Sequence, residues 1–404
     1  MNTRPTSTGE SPRSLSVDIF RGLTMMVMVF VNDLSGVKGL PWWNYHMPPG
    51  ADGMTYVDMV FPEFLFIVGM AIPLAIQRRF DKGDSTWKLW MHVIFRSLAL
   101  IVLGIFLANH GKVDPGLTGI GESAWALWGL AGAILFWNVY PRSDKRQRLY
   151  RILKYIGLLM VAVAFAIFRR RTPEGQAAWL DFGYWEILGI IGQSYLAACI
   201  LYIPFRKIRW APVFWLVALT ALNVFARLNG MHHHDLPLGL WPFGSGESAS
   251  IIMAGVVASR IFLDKAFAKT FKEKATWGLG YALALFLAGY GLRPLGLSKN
   301  EGTPTWCLYC AGTGVLIMLA LYWIADVKRQ IKWASFVKPA GSNTLLTYLL
   351  PYISYSALGG FLGYGVHRFG MDQGLPGLAK SLLFTGIILA CSAVMTKLKF
   401  RLQL

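Results

Sequence analysis

The chain has 404 residues, of which 55% are hydrophobic, 14% aromatic and only 15% charged. Its mean hydropathy of +0.45 excludes a water-soluble domain with an ordinary polar surface. The formal charge of +18 does not indicate nucleic-acid binding, because Lys and Arg collect in alternate short loops between apolar segments. The composition therefore predicts an all-α, polytopic helical bundle embedded in a lipid bilayer.

Apolar stretches long enough to cross a bilayer recur along the whole length. They predict about twelve spans, or ten to eleven if short or glycine-rich stretches are re-entrant or merged. We expect residues 1–404 to form a single transmembrane domain, with residues 1–15 as a cytoplasmic tail. The predicted spans are residues 16–36, 56–77, 88–109, 122–140, 152–168, 184–204, 211–228, 247–263, 275–293, 304–325, 339–360 and 376–396.

Basic residues predict the orientation of these spans. They cluster around residues 78–82, 142–151, 206–209, 265–274, 328–338 and 397–401, whereas the intervening loops are nearly free of them. Under the positive-inside rule, both termini lie in the cytoplasm and the protein is a multi-pass protein of the inner membrane. The run from Arg169 to Arg171 departs from this rule, because it falls outside. Either the fifth span is misplaced or these cations act there, as in snorkelling to headgroups.

The first two spans carry an unusual number of polar residues around one short loop. The sequence reads SVDIFRGLTMMVMVFVNDLSG, then VKGLPWWNYHMPPGADGMT, then YVDMVFPEFLFIVGMAIPLAIQRR. An ionisable group at the centre of a spanning helix costs roughly 2.5 to 3.5 kcal/mol on insertion scales, so several of them indicate function. The polar positions are Asp18, Arg21, Asn32, Asp33, His46, Asp58 and Glu63.

These polar residues reach inward from both membrane faces. Asp18 and Arg21 lie at the cytoplasmic end, three residues apart on one helical face, whereas the loop with His46 faces outward. Such an arrangement predicts a path across the membrane for a solute or for a chemical group.

Two further motifs are weaker. The run His232 to His234 with Asp235 contains potential metal ligands, but adjacent side chains rarely share one ion, and we expect no metal. Cys307 and Cys310 lie at helical spacing in an apolar run, which favours packing over a disulfide.

Several motifs resemble a known family. The run SVDIFRG, then Asn32, the loop histidine and GMTYVDMVFPEFLFIVG resemble the start of the membrane acetyltransferases related to heparan-alpha-glucosaminide N-acetyltransferase, especially their bacterial relatives. Near the C-terminus, GTPTWCLYCAGTGVLIMLALYWIAD and VKPAGSNTLLTYLLPY are similar to two further stretches of that family. The resemblance covers the first quarter and the last third, and the middle mainly by hydropathy.

The resemblance implies transfer of an acetyl group from cytoplasmic acetyl-CoA to a glucosamine-type amine across the membrane. By motif position, His46 falls on the family's active-site histidine, Asn32 on its partner asparagine and Asp58 on the aspartate that opens the second helix. The loop NYHMPPGADG is longer than in many relatives, where a small residue and Trp directly follow the histidine. Acetyl-CoA is then the co-substrate and an amino sugar the acceptor.

The residue types suit this chemistry. An imidazole such as His46 can remove a proton from the amine or carry the acyl group. A carboxylate such as Asp58 can fix the imidazole tautomer, and the Asn32 amide can donate to the oxyanion of the tetrahedral intermediate.

Four more residues are candidates for binding substrate or CoA. Asp18 and Arg21 form either a structural ion pair or, through Arg21, a contact to a CoA phosphate. Glu63 lies deep in the second span, and Asn343 either contacts substrate or makes a helix-packing hydrogen bond.

Two alternatives stay open on the residues themselves. One is a multi-pass transporter of a small solute, for which dispersed intramembrane acids also serve. Binding of acetyl-CoA separates this class from the acyltransferase. The other concerns assembly, since a homodimer and a monomer are both compatible with the pattern.

Overall fold

The computed structural model of the chain describes residues 14–141, 144–231, 241–264, 266–362 and 371–404. These residues form fourteen α-helices and one short β-hairpin. The helices are α1 (Leu15–Leu34), α2 (Val60–Asp81), α3 (Thr86–Ala108), α4 (Pro115–Thr118), α5 (Glu122–Trp137), α6 (Gln147–Ile167), α7 (Glu186–Phe205), α8 (Ala211–Leu228), α9 (Glu247–Leu263), α10 (Phe271–Gly291), α11 (Pro304–Leu321), α12 (Lys338–Ser342), α13 (Thr344–Leu362) and α14 (Gly374–Lys397).

The predicted all-α membrane bundle is confirmed. Within the described ranges, twelve helices have 16 or more residues, and each overlaps one predicted span. Eight of them are long and apolar enough to cross a bilayer, namely α1, α2, α3, α6, α7, α8, α11 and α14. Large apolar side chains such as Leu159, Leu283 and Leu383 are exposed on α6, α10 and α14. An apolar outer surface of this kind suits contact with lipid.

Glycines set the closest helix contacts. A Cβ atom on Gly69 of α2 would lie 1.9 Å from the Ile252 carbonyl oxygen of α9, and one on Gly255 of α9 would lie 2.0 Å from the Phe66 carbonyl oxygen. Without a side chain at these positions, two backbones can approach closely, as small residues allow in membrane bundles. The centre of the bundle is α9, which packs against α2, α7, α8, α10 and α11.

The two ends of the bundle are held by different contacts. At one end, the Asp326 carboxylate accepts from the backbone N–H groups of Leu15 and Ser16 at 3.2 and 3.0 Å. This carboxylate satisfies the free N–H groups that start α1 and complements the helix dipole. The C-terminal segment lies at the same end, where Leu402 pairs with Asn138. At the other end, the loop after α1 pairs with residues just before α14 through Lys38.

The run Arg169 to Arg171 builds the hairpin after α6. Strand β1 (Arg170–Arg171) pairs with strand β2 (Ala177–Ala178). The Arg171 guanidinium donates to Asp114 at 2.7 Å, and the Arg169 guanidinium donates to the Ala166 carbonyl at 2.9 Å. These local bonds give the cations a structural role, and α6 ends at Ile167, close to the predicted end of the fifth span.

Two predicted boundaries differ from the structure. The predicted tail, residues 1–15, lies outside the described residues up to residue 13, and Leu15 already belongs to α1. The predicted span 339–360 is interrupted at Asn343, between α12 and α13. Asn343 takes a non-helical backbone conformation there, with φ of −137° and ψ of 51°.

Candidate active site

His46 and Asp58 form the core of the candidate site. A short 3₁₀ helix, Val57–Met59, precedes α2 and carries Asp58, whose side chain is 1% exposed. The imidazole Nδ1 lies 2.7 Å from Asp58 Oδ1. Asp58 Oδ2 accepts from the backbone N–H groups of Met47 and Thr55 at 3.2 and 3.0 Å. The carboxylate is therefore held in one orientation, and its contact with Nδ1 points Nε2 of His46 away from Asp58. The His46 side chain is 41% exposed.

A second loop, residues 292–303 between α10 and α11, packs against the histidine loop, residues 35–56. The Arg293 guanidinium donates two hydrogen bonds of 2.8 Å to the Asp52 carboxylate. That guanidinium holds the pKa of the Asp52 carboxyl below its usual range. The Gly53 N–H also donates to the Leu297 carbonyl at 2.7 Å, and the Asn300 amide to the Met47 carbonyl at 3.1 Å. The histidine loop is therefore held in place by residues 293–300, in addition to the two helices that it connects, α1 and α2.

The second loop brings Lys299 to the imidazole. Its Nζ lies 3.2 Å from Nδ1 and 3.3 Å from Nε2 of His46. Burial lowers the pKa of Lys299, although the charge of Asp58 acts in the opposite direction. Sequence reasoning missed this residue, because 253 positions separate it from His46. The only signal was its place in LSKNEGTPTW, a polar segment predicted to face outward.

The C-terminal family motif joins the same cluster. Thr303 caps α11 by accepting from the Trp306 N–H, and the Trp306 indole donates to the Asp58 carbonyl at 3.2 Å. Trp306 is buried. Two motifs far apart in sequence therefore meet at Asp58.

A cavity of about 640 Å³ lies in the half of the bundle where α1 begins, opposite the end that holds His46. It is lined by α1, α2, α3, α7, α13 and the C-terminal segment, and it contains three guanidinium groups, those of Arg21, Arg78 and Arg96. Asp18 also lines it and lies 3.5 Å from Arg21, so the predicted pair is present. Within the described ranges, Arg96 Nε has no hydrogen-bond partner although it is buried. The volume is typical of a small-molecule site, and the charge favours an anion.

The cavity follows one face of α1 toward the histidine loop. Its lining residues on that helix include Arg21, Met25 and Met28, which recur at the spacing of one helical face. Asn32 is the next position on this face, four residues beyond Met28, and its side chain is exposed. The described hydrogen bonds of His46 go to Asp58 and Lys299, so the structure does not pair Asn32 with His46.

Two residues predicted to bind substrate or CoA lie elsewhere. Glu63 is buried on the α11 side of α2, where a Cβ on Gly314 would lie 2.6 Å from its Oε2, and it is absent from the cavity wall. Its carboxylate has no hydrogen-bond partner within the described ranges. The Asn343 amide donates to Thr396 Oγ1 at 3.1 Å and to the Phe400 carbonyl at 2.8 Å. These bonds hold α14 and the C-terminal segment, as the packing alternative for Asn343 predicted, whereas a substrate contact at Asn343 stays a prediction.

The structure also shows two buried polar clusters that sequence reasoning did not identify. Asp33 accepts from the Tyr355 hydroxyl and lies 2.7 Å from the Lys380 ammonium. In the second cluster, the hydroxyl groups of Tyr348 and Tyr352 both donate to Glu186 Oε1. Each cluster joins helices distant in sequence, so hydropathy alone could not pair their members.

The cysteine and histidine motifs contribute little to this site. Cys307 and Cys310 are buried free thiols in α11, as the helical spacing predicted. In the described part of the chain, no group of three or more His, Cys, Asp or Glu side chains could hold a metal ion. His232 to His234 and Asp235 lie outside the described residues.

Comparisons with known proteins agree with the motifs. A family model described as a domain of unknown function, DUF5009, matches residues 13–223. The human heparan-alpha-glucosaminide N-acetyltransferase is 39% identical over 165 residues, which are 40% of this chain and 20% of the human protein. The mouse protein of the same name is 39% identical over 93 residues, or 23% of this chain and 13% of that protein. These matches confirm the resemblance, and the matched region spans about a fifth or less of the relatives' length.

Proposed function

This chain belongs to the DUF5009 family, and we propose that it is a membrane acetyltransferase that uses acetyl-CoA. In this proposal, an acetyl group moves from cytoplasmic acetyl-CoA across the membrane to the amine of an amino sugar on the outer face. The name of the human and mouse relatives supports both the reaction and a glucosamine-type acceptor. The residues 1–404 act as one transmembrane acyltransferase domain in the inner membrane, with both termini in the cytoplasm.

The observation that supports the proposal most strongly is that the cationic cavity and the histidine loop lie along the same face of α1. The cationic cavity lies in one half of the bundle and follows the α1 face that leads to Asn32, directly before the loop with His46. A donor bound there with its phosphates near Arg21, Arg78 and Arg96 would extend its thioester along α1 toward the histidine loop. The basic loops at the cavity end agree with a cytoplasmic donor.

His46 acts as general base or as acyl-carrying nucleophile through Nε2. Asp58 holds Nδ1 at 2.7 Å, which places the ring proton on Nδ1 and leaves the lone pair on Nε2. Asn32, at the outer end of the cavity face, donates its amide to the oxyanion that forms on the acyl carbon. Acetyl-CoA supplies the activated acyl group.

The acceptor reaches His46 from the outer face. Trp42 and Trp43 precede His46 in the same loop and are 69% and 50% exposed. Exposed indole rings stack on the apolar faces of sugars, so this pair supports a sugar acceptor. The amine of such a sugar would then approach Nε2.

Purified protein tests this function directly. We expect wild-type protein to release CoA from acetyl-CoA and to acetylate glucosamine or a related amino sugar. His46→Ala should lower kcat by at least about 100-fold, the scale of general-base catalysis, with little change in acetyl-CoA binding.

The control is the melting temperature of His46→Ala, which should stay near that of the wild type. A wild-type protein that neither binds nor turns over acetyl-CoA, but moves a small solute across vesicles, would instead identify a transporter. Wild-type turnover in His46→Ala would remove this residue from the reaction.

A further inference from the structure

We propose that Lys299 is a catalytic residue whose ammonium group binds the oxyanion formed on the acyl carbon beside His46. This inference rests on the proposed acetyl transfer and deepens it. It adds to the site a donor from the loop 292–303, distant in sequence from the motifs at the first two helices.

The position of the ammonium relative to the ring is the first argument. Nζ is almost equally distant from the two ring nitrogens, at 3.2 Å from Nδ1 and 3.3 Å from Nε2. A position in the ring plane at these distances would overlap the ring carbons, so Nζ lies over a face of the imidazole. Lys299 therefore leaves the in-plane lone pair of Nε2 free to react.

The second argument is that the N–H groups of the Lys299 ammonium are not taken up by a carboxylate. In the described part of the chain, no carboxylate lies within ion-pair distance of Lys299 Nζ. The carboxylates nearby are already engaged, because Asp58 binds His46 and backbone N–H groups, and Asp52 binds Arg293. A partly buried ammonium without a carboxylate partner is expected to bind an anion that forms during the reaction.

The third argument is the distance between the ammonium and the oxygen of the reacting acyl group. An acyl carbon at Nε2 can bring its oxygen to within about 3 Å of Nζ, the range over which donors stabilise an oxyanion. The ammonium group is thus placed to bind the negative charge that forms next to Nε2.

The chemical step balances in both routes left open for His46. A nitrogen lone pair, from Nε2 or from the acceptor amine, adds to the acyl carbon, and the C=O π pair moves to the oxygen. Return of that pair breaks the C–S bond and expels the CoA thiolate. In the Nε2 route, the amine adds in a second cycle, and the C–N bond to His46 breaks. In both routes the amine loses one proton and the thiolate gains one, which gives an acetamide and free CoA thiol.

Three variants test the role of Lys299. Lys299→Met should lower kcat by about 100-fold or more, the usual effect of removing one oxyanion donor, with KM for acetyl-CoA within about threefold of wild type. Lys299→Arg keeps a cation and should retain more activity than Lys299→Met. The matched control is Lys112→Met, which removes a lysine paired with Asp181 at 2.8 Å and should leave turnover unchanged. The described side-chain partners of His46 are Asp58 and Lys299 and do not include Lys112.

The melting temperature and the conservative variant separate catalysis from a structural role. Lys299→Met should lower kcat while its melting temperature stays near that of the wild type, and Lys299→Arg should restore part of kcat because it keeps a cation beside the imidazole.

The outcomes also distinguish this proposal from the proposed function. Turnover in the wild type, loss in His46→Ala and near-wild-type kcat in Lys299→Met would overturn the role of Lys299 alone. A kcat loss in Lys299→Met with a lowered melting temperature, and with no recovery of kcat in Lys299→Arg, would also overturn it, as a structural effect. Absence of wild-type turnover would instead contradict the proposed function.

Discussion

Asp58 is the most constrained residue of the site at the scale of single side chains. One carboxylate oxygen faces His46, and the other accepts from two backbone N–H groups and the Thr55 hydroxyl. An amide in its place would keep its oxygen toward those donors and turn its NH₂ group toward Nδ1. The imidazole would then have to accept at Nδ1 and carry its proton on Nε2, which removes the reactive lone pair.

Asp58→Asn should therefore lower kcat by at least about 100-fold, because the wrong tautomer is stabilised. The reductions in kcat in Asp58→Asn and in His46→Ala should not add, so kcat of the double variant should be only slightly lower than that of either single variant. A double-mutant cycle on kcat measures this coupling. Fully additive losses would show that Asp58 acts on stability and not through His46.

The sequence predicted this pair because both members lie within 13 residues of one another and fall on family motifs. It could not predict Lys299, whose approach depends on how two loops pack. The partners of Asn343 were also not predictable, since Thr396 and Phe400 are brought to it only by the packing of α14 and the C-terminal segment. Residue chemistry is visible in a sequence, whereas long-range contact is not.

At the scale of helices, the contact of α2 with α9 supports the active site, because α2 begins at Val60, two residues after Asp58. Gly69 and Gly255 let these backbones meet, and an added methyl group would contact a carbonyl oxygen of the facing helix. Neither helix can move without disturbing its other neighbours, since both are largely buried. The contact should therefore tolerate no side chain.

Gly69→Ala should lower the free energy of unfolding by roughly 1–3 kcal/mol, the usual cost of overpacking a core. It should also reduce turnover, because it shifts the start of α2. Gly280→Ala in α10 is the matched control, since a Cβ there meets nothing within 4 Å. Thermal melting of the two variants gives the comparison, and equal melting temperatures would contradict the close approach of α2 and α9.

Hydropathy predicted where helices occur because lipid requires long apolar segments with internal hydrogen bonds. It did not predict the break at Asn343, because α12 and α13 together read as one apolar stretch. It also did not predict which helices meet. Lipid-facing and buried positions of a membrane helix are both apolar, so hydropathy does not distinguish one from the other.

At the scale of the whole molecule, the protein has two chemically different ends. One end holds the cationic cavity and the basic loops, and the other holds His46, Asp58 and Lys299 with exposed tryptophans. The positive-inside pattern predicts that the cavity end faces the cytoplasm. This polarity fits a reaction whose donor and acceptor are on opposite sides of the membrane.

Proteoliposomes with the donor and the acceptor in separate compartments test this transfer. Glucosamine is trapped inside the vesicles and acetyl-CoA is added only outside, so that molecules with the basic end outward can use both. We predict that N-acetylglucosamine accumulates inside vesicles with wild-type protein and not with His46→Ala. Product that forms only when acetyl-CoA and glucosamine share one compartment would contradict transfer across the membrane.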